Sequence, residues 1–294
     1  MTEIQIVTVV GAGTMGHGIA QACAMAGIAT RLVDVDEDRL ERAHGAIRDS
    51  LVRFVRSGRM TAAASTEALE RVEGRVDLAT AAADADVVIE AVPEDFALKQ
   101  ELFARLVTVT RPGTVLATNT SQFSVTAIAA GTDRPEDVIA THFFNPPVLM
   151  RLVEIARGLR TSDRTLDTTL SLVRRLGKEA AVCRRDAPGF ITSRALAALR
   201  LECIRIYEEG IASIEDIDRA MRLGLNHPMG PFELNDYNGL DVGLAVAESL
   251  RAAYGERFTP PQSLVSRVRA GMLGRKTGQG WYDHRSGPPR PTES

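Results

Sequence analysis

The stretch HFFNPPVLMRLVEI contains a candidate pair for proton transfer, a histidine and a glutamate twelve residues apart. Residues 137–143 and 151–155 around it are predicted strands. If these strands pair in antiparallel fashion, His142 lies opposite about residue 153, which brings Glu154 within reach. A carboxylate on one imidazole nitrogen fixes the tautomer, so that the other nitrogen can accept a proton. Such a pair suits a general base, although a pair of this kind taken alone is more often an ordinary strand-end histidine bonded to a backbone carbonyl.

A second candidate site is the glycine pattern in VVGAGTMGHGIA, which follows a predicted strand and opens a predicted helix. Gly11 permits a tight turn, Gly13 lets the backbone approach a pyrophosphate, and Gly16 lets the helix pack closely on the strand. Thr14 and Met15 stand at the start of that helix, where the N–H groups and the dipole favour phosphate. The same pattern occurs in glycine-rich turns without a ligand, so the neighbouring elements decide its meaning.

The acid at the end of the second predicted strand favours dinucleotide binding. Asp34 follows the glycine pattern at about the spacing where a carboxylate meets the ribose hydroxyls of a dinucleotide. A negative charge there repels a 2′-phosphate, which favours NAD over NADP. Arg31 and Arg39 are near, but neither stands at the position that usually follows the acid. FAD uses a similar pattern, but nothing else in the sequence indicates a flavin, and NAD is the predicted cofactor.

Polar side chains follow two further predicted strands. TNTSQFS places Asn119 and Ser121 at a strand end, where Ser121 is suited to bond a substrate oxygen. Asx or Ser turn chemistry explains the same residues equally well. EAVPED places Glu90 and Glu94 after another strand, and Lys99 follows in the next predicted helix. Helix capping and surface charge are the simpler interpretation of those three residues.

The first 185 residues alternate apolar, β-branched runs with helical patterns, which predicts an α/β fold with a Rossmann-like, doubly wound sheet. The predicted strands cover residues 4–10, 29–34, 86–92, 114–118, 137–143 and 151–155, and the helices between them cover 14–26, 36–58 and 96–109. Beyond residue 186 the predicted helices cover 191–210, 215–223, 239–253 and 261–271. We therefore expect a cofactor domain over 1–185, an all-helical domain over 186–284, and a disordered tail over 285–294, which lacks an apolar anchor.

The composition is that of a globular protein: 294 residues, of which 45% are hydrophobic and 25% are charged. The net charge of -3 offers no cationic field for nucleic acid or an anionic membrane, and no apolar run reaches membrane-spanning length. Cys23, Cys183 and Cys203 stand outside any CxxC pair, which predicts reduced, buried thiols in a cytoplasmic protein and no metal site. The first predicted strand begins at Ile4, so we expect no signal or transit peptide.

Taken together and in order, these segments resemble the L-3-hydroxyacyl-CoA dehydrogenase family, especially its short stand-alone 3-hydroxybutyryl-CoA dehydrogenases. The resemblance runs from VVGAGTMGHGIA through IEAVPED, TNTS and HFFNPP to HPMGPFELNDYNGLD and GRKTGQGWYD, and so covers nearly the whole chain. It implies a Rossmann-like domain followed by a helical domain that forms a homodimer. It also implies NAD-dependent oxidation of an acyl-CoA substrate, a reaction that fatty-acid oxidation and several other pathways use.

The resemblance also implies roles for single residues. His142 resembles the family's catalytic base, and Glu154 resembles the partner that orients it. Ser121 matches the serine that contacts the substrate oxygen near the nicotinamide, and Asn145 matches an asparagine on the cofactor side. The remaining family positions that contact NAD are matched by Glu94, Lys99 and Lys276.

Contacts with CoA are implied on one predicted helix. Ser50 matches a helical serine that touches CoA, whereas a neighbouring CoA-binding lysine of some relatives is replaced by Ser57. Arg53, Arg56 and Arg59 are candidates to take over contact with the CoA phosphates, and we assign Arg53 to that site. A solvated helix face explains most of these arginines as well.

One departure from the family bears on the substrate. The family's PGFxxNR appears as PGFITSR, so Ser193 stands in place of an active-site asparagine, with a shorter reach. We predict reversible oxidation of an (S)-3-hydroxyacyl-CoA, in which His142 is the base and Ser121 and Ser193 hold the substrate oxygen. The alternatives are dehydrogenation of a free 3-hydroxy acid, such as L-gulonate or carnitine, and a non-catalytic NAD-binding protein.

Overall fold

In the computed structural model, which describes residues 4–285 and 287–292, the chain divides into two compact units between Ala187 and Pro188. The strands of the first unit are β1 (Ile6–Val10), β2 (Ala29–Val33), β3 (Val72–Arg75), β4 (Val87–Glu90), β5 (Val115–Thr118), β6 (Val138–Phe143), β7 (Leu152–Arg157) and β8 (Glu179–Cys183). Its helices are α1 (Thr14–Met25), α2 (Glu37–Arg56), α3 (Ala62–Glu70), α4 (Leu78–Ala82), α5 (Phe96–Val109), α6 (Val125–Ala129) and α7 (Asp163–Arg175), with a 3-10 turn at Pro135–Asp137.

The eight strands form one sheet in the order β3-β2-β1-β4-β5-β6-β7-β8. All neighbouring pairs are parallel except β6 and β7, which run antiparallel. Every residue of β4 and β5 is buried, which shows that both faces of the sheet centre are covered. The predicted α/β, Rossmann-like fold is therefore confirmed, with the strand order reversing direction between β1 and β4.

The strands β3 and β8 are absent from the sequence-based prediction, and both lie at the edges of the sheet. Their sequences, VEGR and EAAVC, leave most residues partly or fully exposed. An edge strand has one neighbour and an exposed face, so it lacks the continuous apolar run by which the central strands are recognised.

Side-chain caps begin the helices that lead away from the site. The carboxylate of Asp36 accepts a hydrogen bond from Arg39 N at 2.8 Å at the start of α2, and that of Asp95 accepts one from Leu98 N at 2.9 Å at the start of α5. Each cap satisfies a backbone donor that a helix leaves unpaired at its first turn.

The second unit is helical, as the pattern predicts. Its elements are α8 (Thr192–Glu208), α9 (Ile214–Gly224), α10 (Pro231–Asn238), α11 (Leu240–Tyr254) and α12 (Gln262–Arg269), 3-10 turns at Glu256–Phe258 and Arg275–Thr277, and the two-residue strands β9 (Tyr282–Asp283) and β10 (Arg290–Pro291). The helix α10 was not predicted. Its first turn is capped by a residue of another helix, since the buried carboxylate of Asp218 accepts hydrogen bonds from Phe232 N and Glu233 N. Gly230 is the N-cap of that helix, and a glycine is needed there because a Cβ atom would overlap the Asp218 side chain.

The predicted disorder of the tail is wrong for its described part. Arg290–Pro291 pairs in antiparallel fashion with Tyr282–Asp283, and the Thr292 hydroxyl donates a hydrogen bond to Gly280 O at 2.7 Å. The anchor is backbone pairing with an earlier segment, which a search for apolar residues does not detect. Residues 286, 293 and 294 of the predicted tail lie outside the described residues.

The three cysteines are buried. Within residues 4–285 and 287–292, no helix is both long and apolar enough to cross a membrane.

Candidate active site

The glycine pattern forms the turn between β1 and α1 at the carboxyl edge of the sheet. Gly11 has a φ of +102°, and a Cβ atom there would lie 2.6 Å from Ala91 O. A Cβ atom on Gly16 would overlap Gly11 O, so the closest part of the turn requires two glycines. A Cβ atom on Gly13 would meet nothing within 4 Å, and Gly13 is the N-cap of α1 with no side-chain cap. The turn is therefore open at Gly13, directly before the first N–H groups of α1, which is an arrangement suited to a phosphate.

Asp34 lies beside this turn at the end of β2. Its two carboxylate oxygens accept hydrogen bonds from Ala12 N and Val35 N, each at 2.7 Å. The guanidinium of Arg39 lies 3.5 Å from the same carboxylate, whose side chain is 9% exposed. The backbone therefore fixes the carboxylate next to the glycine turn, where an adenosine ribose would be bound. These residues fit a dinucleotide.

His142 and Glu154 face each other across β6 and β7. The register pairs His142 with Glu154 itself, one residue from the position expected from the sequence. Directly opposed residues of an antiparallel pair point to the same face, and Nδ1 of the imidazole lies 2.8 Å from Oε2 of the carboxylate. Glu154 is fully buried, and the His142 side chain is 12% exposed. The carboxylate therefore orients a ring that can still exchange a proton with a ligand.

Asn119 joins the end of β5 to its two neighbours in the sheet. Its backbone N–H donates to Glu90 O at 2.9 Å, and its side-chain Oδ1 accepts from Phe143 N, also at 2.9 Å. Two residues later, Ser121 N donates to Oε1 of Glu94 at 3.2 Å. The predicted polar turn is thus linked both to the strand that carries the histidine and to the EAVPED segment.

Glu90 and Lys99 are buried, which overturns the interpretation that they are surface charges. Nζ of Lys99 lies 2.5 Å from Oε1 of Glu90 and 3.1 Å from Oε2 of Glu94. Asp95, rather than a glutamate, caps the following helix. The sequence signal for burial of this cluster is a single carboxylate, Glu90, at the end of an otherwise apolar strand.

The connection between β6 and β7 carries Asn145 and packs against α1. A Cβ atom on Gly18 would lie 2.9 Å from Cδ of Pro147, so the last glycine of GTMGHG accommodates this proline. The ammonium of Lys178, just before β8, donates to Pro147 O at 2.6 Å and to Met150 O at 2.7 Å. Neither Gly18 nor Lys178 was singled out from the sequence, because each acts on a segment far away in the chain.

A cleft of about 540 Å³ lies between α1, α2 and this connection. Thr14, Ser50 and Asn145, all predicted site residues, line it. Among the three candidate arginines, Arg53 and Arg59 line the cleft, whereas Arg56 is not among its lining residues.

A larger depression of about 710 Å³ opens at the other ends of the strands, next to Asp86 and Gly113. It contains none of the predicted site residues, and its arginines are paired, Arg111 with Asp86 and Arg164 with Asp137. Ligands of doubly wound sheets bind at the carboxyl ends of the strands, so the smaller cleft is the better candidate to bind part of a ligand.

Two predicted site residues belong to the second unit. Ser193 lies in the first turn of α8 and is half-buried. Lys276 lies in the 3-10 turn at Arg275–Thr277, and its ammonium is 2.5 and 2.6 Å from the two carboxylate oxygens of Asp241. Their predicted roles toward substrate and cofactor stay predictions.

Comparison with known proteins gives the same family along both units. Residues 6–187 match the family model of the 3-hydroxyacyl-CoA dehydrogenase NAD-binding domain, and residues 189–284 match that of the C-terminal domain. A 3-hydroxybutyryl-CoA dehydrogenase of Bradyrhizobium diazoefficiens is 43% identical over 290 residues, 98% of each chain. A probable 3-hydroxybutyryl-CoA dehydrogenase of Bacillus subtilis is 41% identical over 283 residues, 96% of this chain and 98% of the relative.

A solved structure agrees in fold as well as in sequence. The crystal structure of (S)-3-hydroxybutyryl-CoA dehydrogenase from Ralstonia eutropha is 39% identical, covers 95% of this chain and 98% of its own, and superposes with a TM-score of 0.91. The resemblance recognised in the sequence and the predicted NAD cofactor are confirmed by these matches. The first unit contains the glycine turn, the acid at the end of β2 and the oriented histidine, and the family models match both units. The chain therefore belongs to the 3-hydroxyacyl-CoA dehydrogenase family.

Proposed function

We propose that the protein catalyses the reversible, NAD-dependent oxidation of a short-chain (S)-3-hydroxyacyl-CoA, 3-hydroxybutyryl-CoA in particular, to the 3-oxoacyl-CoA. The observation that carries the proposal is the 2.8 Å contact between His142 and the buried Glu154, beside a dinucleotide turn. Oxidation of a secondary alcohol removes a hydroxyl proton and a hydride, so it needs both a base and a hydride acceptor.

The histidine serves as the base. When Nδ1–H of His142 donates a hydrogen bond to the carboxylate of Glu154, Nε2 presents the lone pair that accepts the hydroxyl proton. The imidazolium that forms is stabilised by the negative charge of Glu154, which lies in a fully buried position where charges interact strongly. Bound NAD supplies the acceptor for the hydride.

The remaining residues bind and orient. Ser121, together with Ser193, holds the reacting substrate oxygen. Ser50 and Arg53 contact the CoA portion, and their position in the cleft beside α2 supports that role. The residues assigned to the cofactor are Gly11, Gly13, Thr14, Met15, Gly16, Asp34, Glu94, Asn119, Ser121, Asn145 and Lys276. Lys99, which the resemblance also assigned to the cofactor, is 1% exposed and paired with Glu90 and Glu94, so it acts on the cofactor through Glu94.

Dehydrogenation of a free 3-hydroxy acid is not favoured, since the similar proteins named above carry names of CoA-thioester dehydrogenases. Ser193 in place of asparagine is the one feature that motivates it. A non-catalytic NAD-binding protein is not favoured either, because the His142–Glu154 pair is intact.

We also propose a homodimer formed through the second unit. Three apolar side chains in or next to α9, Ile211, Leu223 and Leu225, are 68%, 80% and 61% exposed and are therefore available to pack against a second copy of the chain. Light scattering after size exclusion measures the mass directly, and a monomer at micromolar concentration would contradict the dimer. Buried cysteines support a cytoplasmic location.

Acetoacetyl-CoA with NADH is the decisive substrate test, read as loss of NADH absorbance. We expect turnover of the thioester and little turnover of free acetoacetate. The opposite preference would contradict the CoA assignment. His142→Ala should lose most activity and still bind NADH, whereas full activity in that variant would contradict its role as base.

A further inference from the structure

Glu90 and Lys99 form an ion pair that is almost entirely withdrawn from water. Their side chains are 0% and 1% exposed, and Oε1 of Glu90 lies 2.5 Å from Nζ of Lys99. Burying two charges is costly unless the geometry is excellent, and replacing such a pair by well-packed apolar residues is often neutral or stabilising. Stability alone therefore does not account for the pair.

Both carboxylate oxygens of Glu90 accept hydrogen bonds. Oε1 also accepts from Val92 N at 2.8 Å, and Oε2 accepts from the hydroxyl of Thr118 at 2.6 Å. Burial raises the pKa of Glu90, and the neighbouring ammonium opposes that rise and favours the ionised form. The carboxylate is thus anchored between the ends of β4 and β5, where it holds the Lys99 ammonium in one place.

The ammonium of Lys99 has a second partner, Glu94, which also contacts the turn that carries Ser121. Oε2 of Glu94 lies 3.1 Å from Nζ of Lys99, and Oε1 of the same carboxylate accepts from Ser121 N at 3.2 Å and from the hydroxyl of Thr120. The Glu94 side chain is 33% exposed, so it borders solvent or a ligand. A partly exposed glutamate is held at one oxygen by a buried cation and at the other by the turn that carries Ser121.

We propose that Glu90 is a positioning residue, which fixes Lys99, and through Lys99 fixes Glu94 and the turn that bears Ser121. The proposal rests on the function proposed above, in which Ser121 contacts the substrate and Glu94 the cofactor. The buried pair converts a mobile surface carboxylate into a rigid support for both. A displacement of about 1 Å in such a support lowers turnover by about 100-fold.

Three variants separate positioning from stability. Glu90→Gln leaves the buried ammonium of Lys99 with only the partly exposed Glu94, and Lys99→Met leaves the buried carboxylate of Glu90 without a cation, so both should lower the thermal midpoint. The double variant E90Q/K99M contains no buried charge and keeps the shape, so its midpoint should return close to that of the wild type. Its kcat with acetoacetyl-CoA and NADH should nevertheless stay about 10- to 100-fold low, because Glu94 has lost its donor. A double variant that regains both its midpoint and its kcat would overturn the proposal.

Glu94→Gln provides a second measurement that does not depend on the folding of the pair. It retains Glu90 and Lys99, so its thermal midpoint should stay near that of the wild type, and its loss of kcat should match that of the double variant. Wild-type kinetics in Glu94→Gln would also overturn the proposal. The exposed pair Glu67 and Arg71, 3.2 Å apart at the C-terminal end of α3, gives the control double variant E67Q/R71M, which should change neither the thermal midpoint nor kcat.

NADH affinity, measured by fluorescence without any acyl-CoA, distinguishes failure of this inference from failure of the proposed function. If the wild type reduces no 3-oxoacyl-CoA, the proposed function fails. Glu94→Gln and E90Q/K99M should still weaken NADH binding by about tenfold, which corresponds to about 1.4 kcal/mol. Unchanged NADH affinity in both variants would count against the positioning role.

Discussion

Glu154 lies directly opposite His142, with its carboxylate oxygen 2.8 Å from Nδ1 of the imidazole. Because this contact fixes the tautomer, Glu154→Gln should present an amide that can donate to Nδ1 and so place the proton on the wrong nitrogen. We expect kcat to fall by about 10²- to 10⁴-fold, the range seen when a base loses its orienting carboxylate. The KM for NADH should change little. Steady-state kinetics with acetoacetyl-CoA give both numbers.

The second unit offers a matched control for this prediction. Nε2 of His284 also lies 2.8 Å from a buried carboxylate, Asp236, which in addition accepts from Trp281 N and Tyr282 N. This pair ties a chain segment to α10, so His284→Asn should lower the thermal midpoint and leave kcat within about twofold for folded protein. Equal losses of kcat in Glu154→Gln and His284→Asn would show that the first loss reflects folding alone.

Gly18 and Pro147 give a prediction about packing. A Cβ atom on Gly18 would lie 2.9 Å from the proline ring, so Gly18→Ala should reduce the free energy of unfolding by about 1–3 kcal/mol. Gly45, within α2, has nothing within 4 Å of a built Cβ atom, so Gly45→Ala should add about 0.5–1 kcal/mol by helix propensity. Urea titrations measure both values. A Gly18→Ala variant as stable as Gly45→Ala would contradict the close approach.

Substitution of Lys178 should lower activity, although this residue lies far from His142 in the sequence. Its ammonium donates to Pro147 O and Met150 O, which holds the connection that carries Asn145. Lys178→Met removes both bonds, and we expect kcat/KM for acetoacetyl-CoA to fall by about tenfold as the cleft wall shifts. Arg151→Met, which removes an exposed ion pair with Glu179 near the same connection, is the control and should stay within about twofold. Equal effects of the two variants would argue against a specific role for Lys178.

The parts of the site that follow from local sequence were predictable. Gly11, Gly13 and Gly16 stand where a strand-turn-helix unit requires them, and Asp34 ends the next strand. The predicted antiparallel return of the chain through two prolines brought His142 and Glu154 together. The predicted strand register was off by one residue, because the hydrophobic pattern of a strand covered on both faces does not fix its register.

The parts that escaped prediction depend on contacts between distant segments. Lys99 has the composition of a surface residue, and only the fold places it against Glu90 with 1% exposure. In the sequence Gly18 is an ordinary helical glycine, and the need for a glycine there arises only from the packing of Pro147 against it.

Asp34 should set the preference for NADH over NADPH. Its carboxylate is fixed beside the glycine turn, where it would repel a 2′-phosphate, and Arg39 lies 3.5 Å away, ready to attract one. Asp34→Ser should therefore shift the ratio of kcat/KM values toward NADPH by about tenfold or more, which corresponds to about 1.4 kcal/mol. Asp38→Asn removes the same charge from the first turn of α2 and serves as the control. A shift of equal size in Asp38→Asn would point to net charge rather than to the Asp34 position.

Cys23 should make the protein less stable in alkali. Burial raises the pKa of this thiol from 9.0 to about 12, so the unfolded chain releases the proton at a lower pH than the folded chain. The stability contributed by the protonated thiol is fully present below pH 9 and is lost as the pH rises from 9 towards 12, at about 1.4 kcal/mol per pH unit. Cys23→Ala should be less stable than the wild type at pH 8, and this difference should shrink by about 1 kcal/mol at pH 10.

The control for Cys23→Ala is Ile19→Val, which removes a buried methylene group from the same helix and has no titratable atom. Its deficit in the free energy of unfolding, about 1 kcal/mol, should be the same at pH 8 and pH 10. Urea titrations of the three proteins at both pH values provide the comparison. If the two deficits respond to pH in the same way, ionisation of Cys23 does not contribute to alkaline unfolding, and the remaining thiols and lysines must account for it.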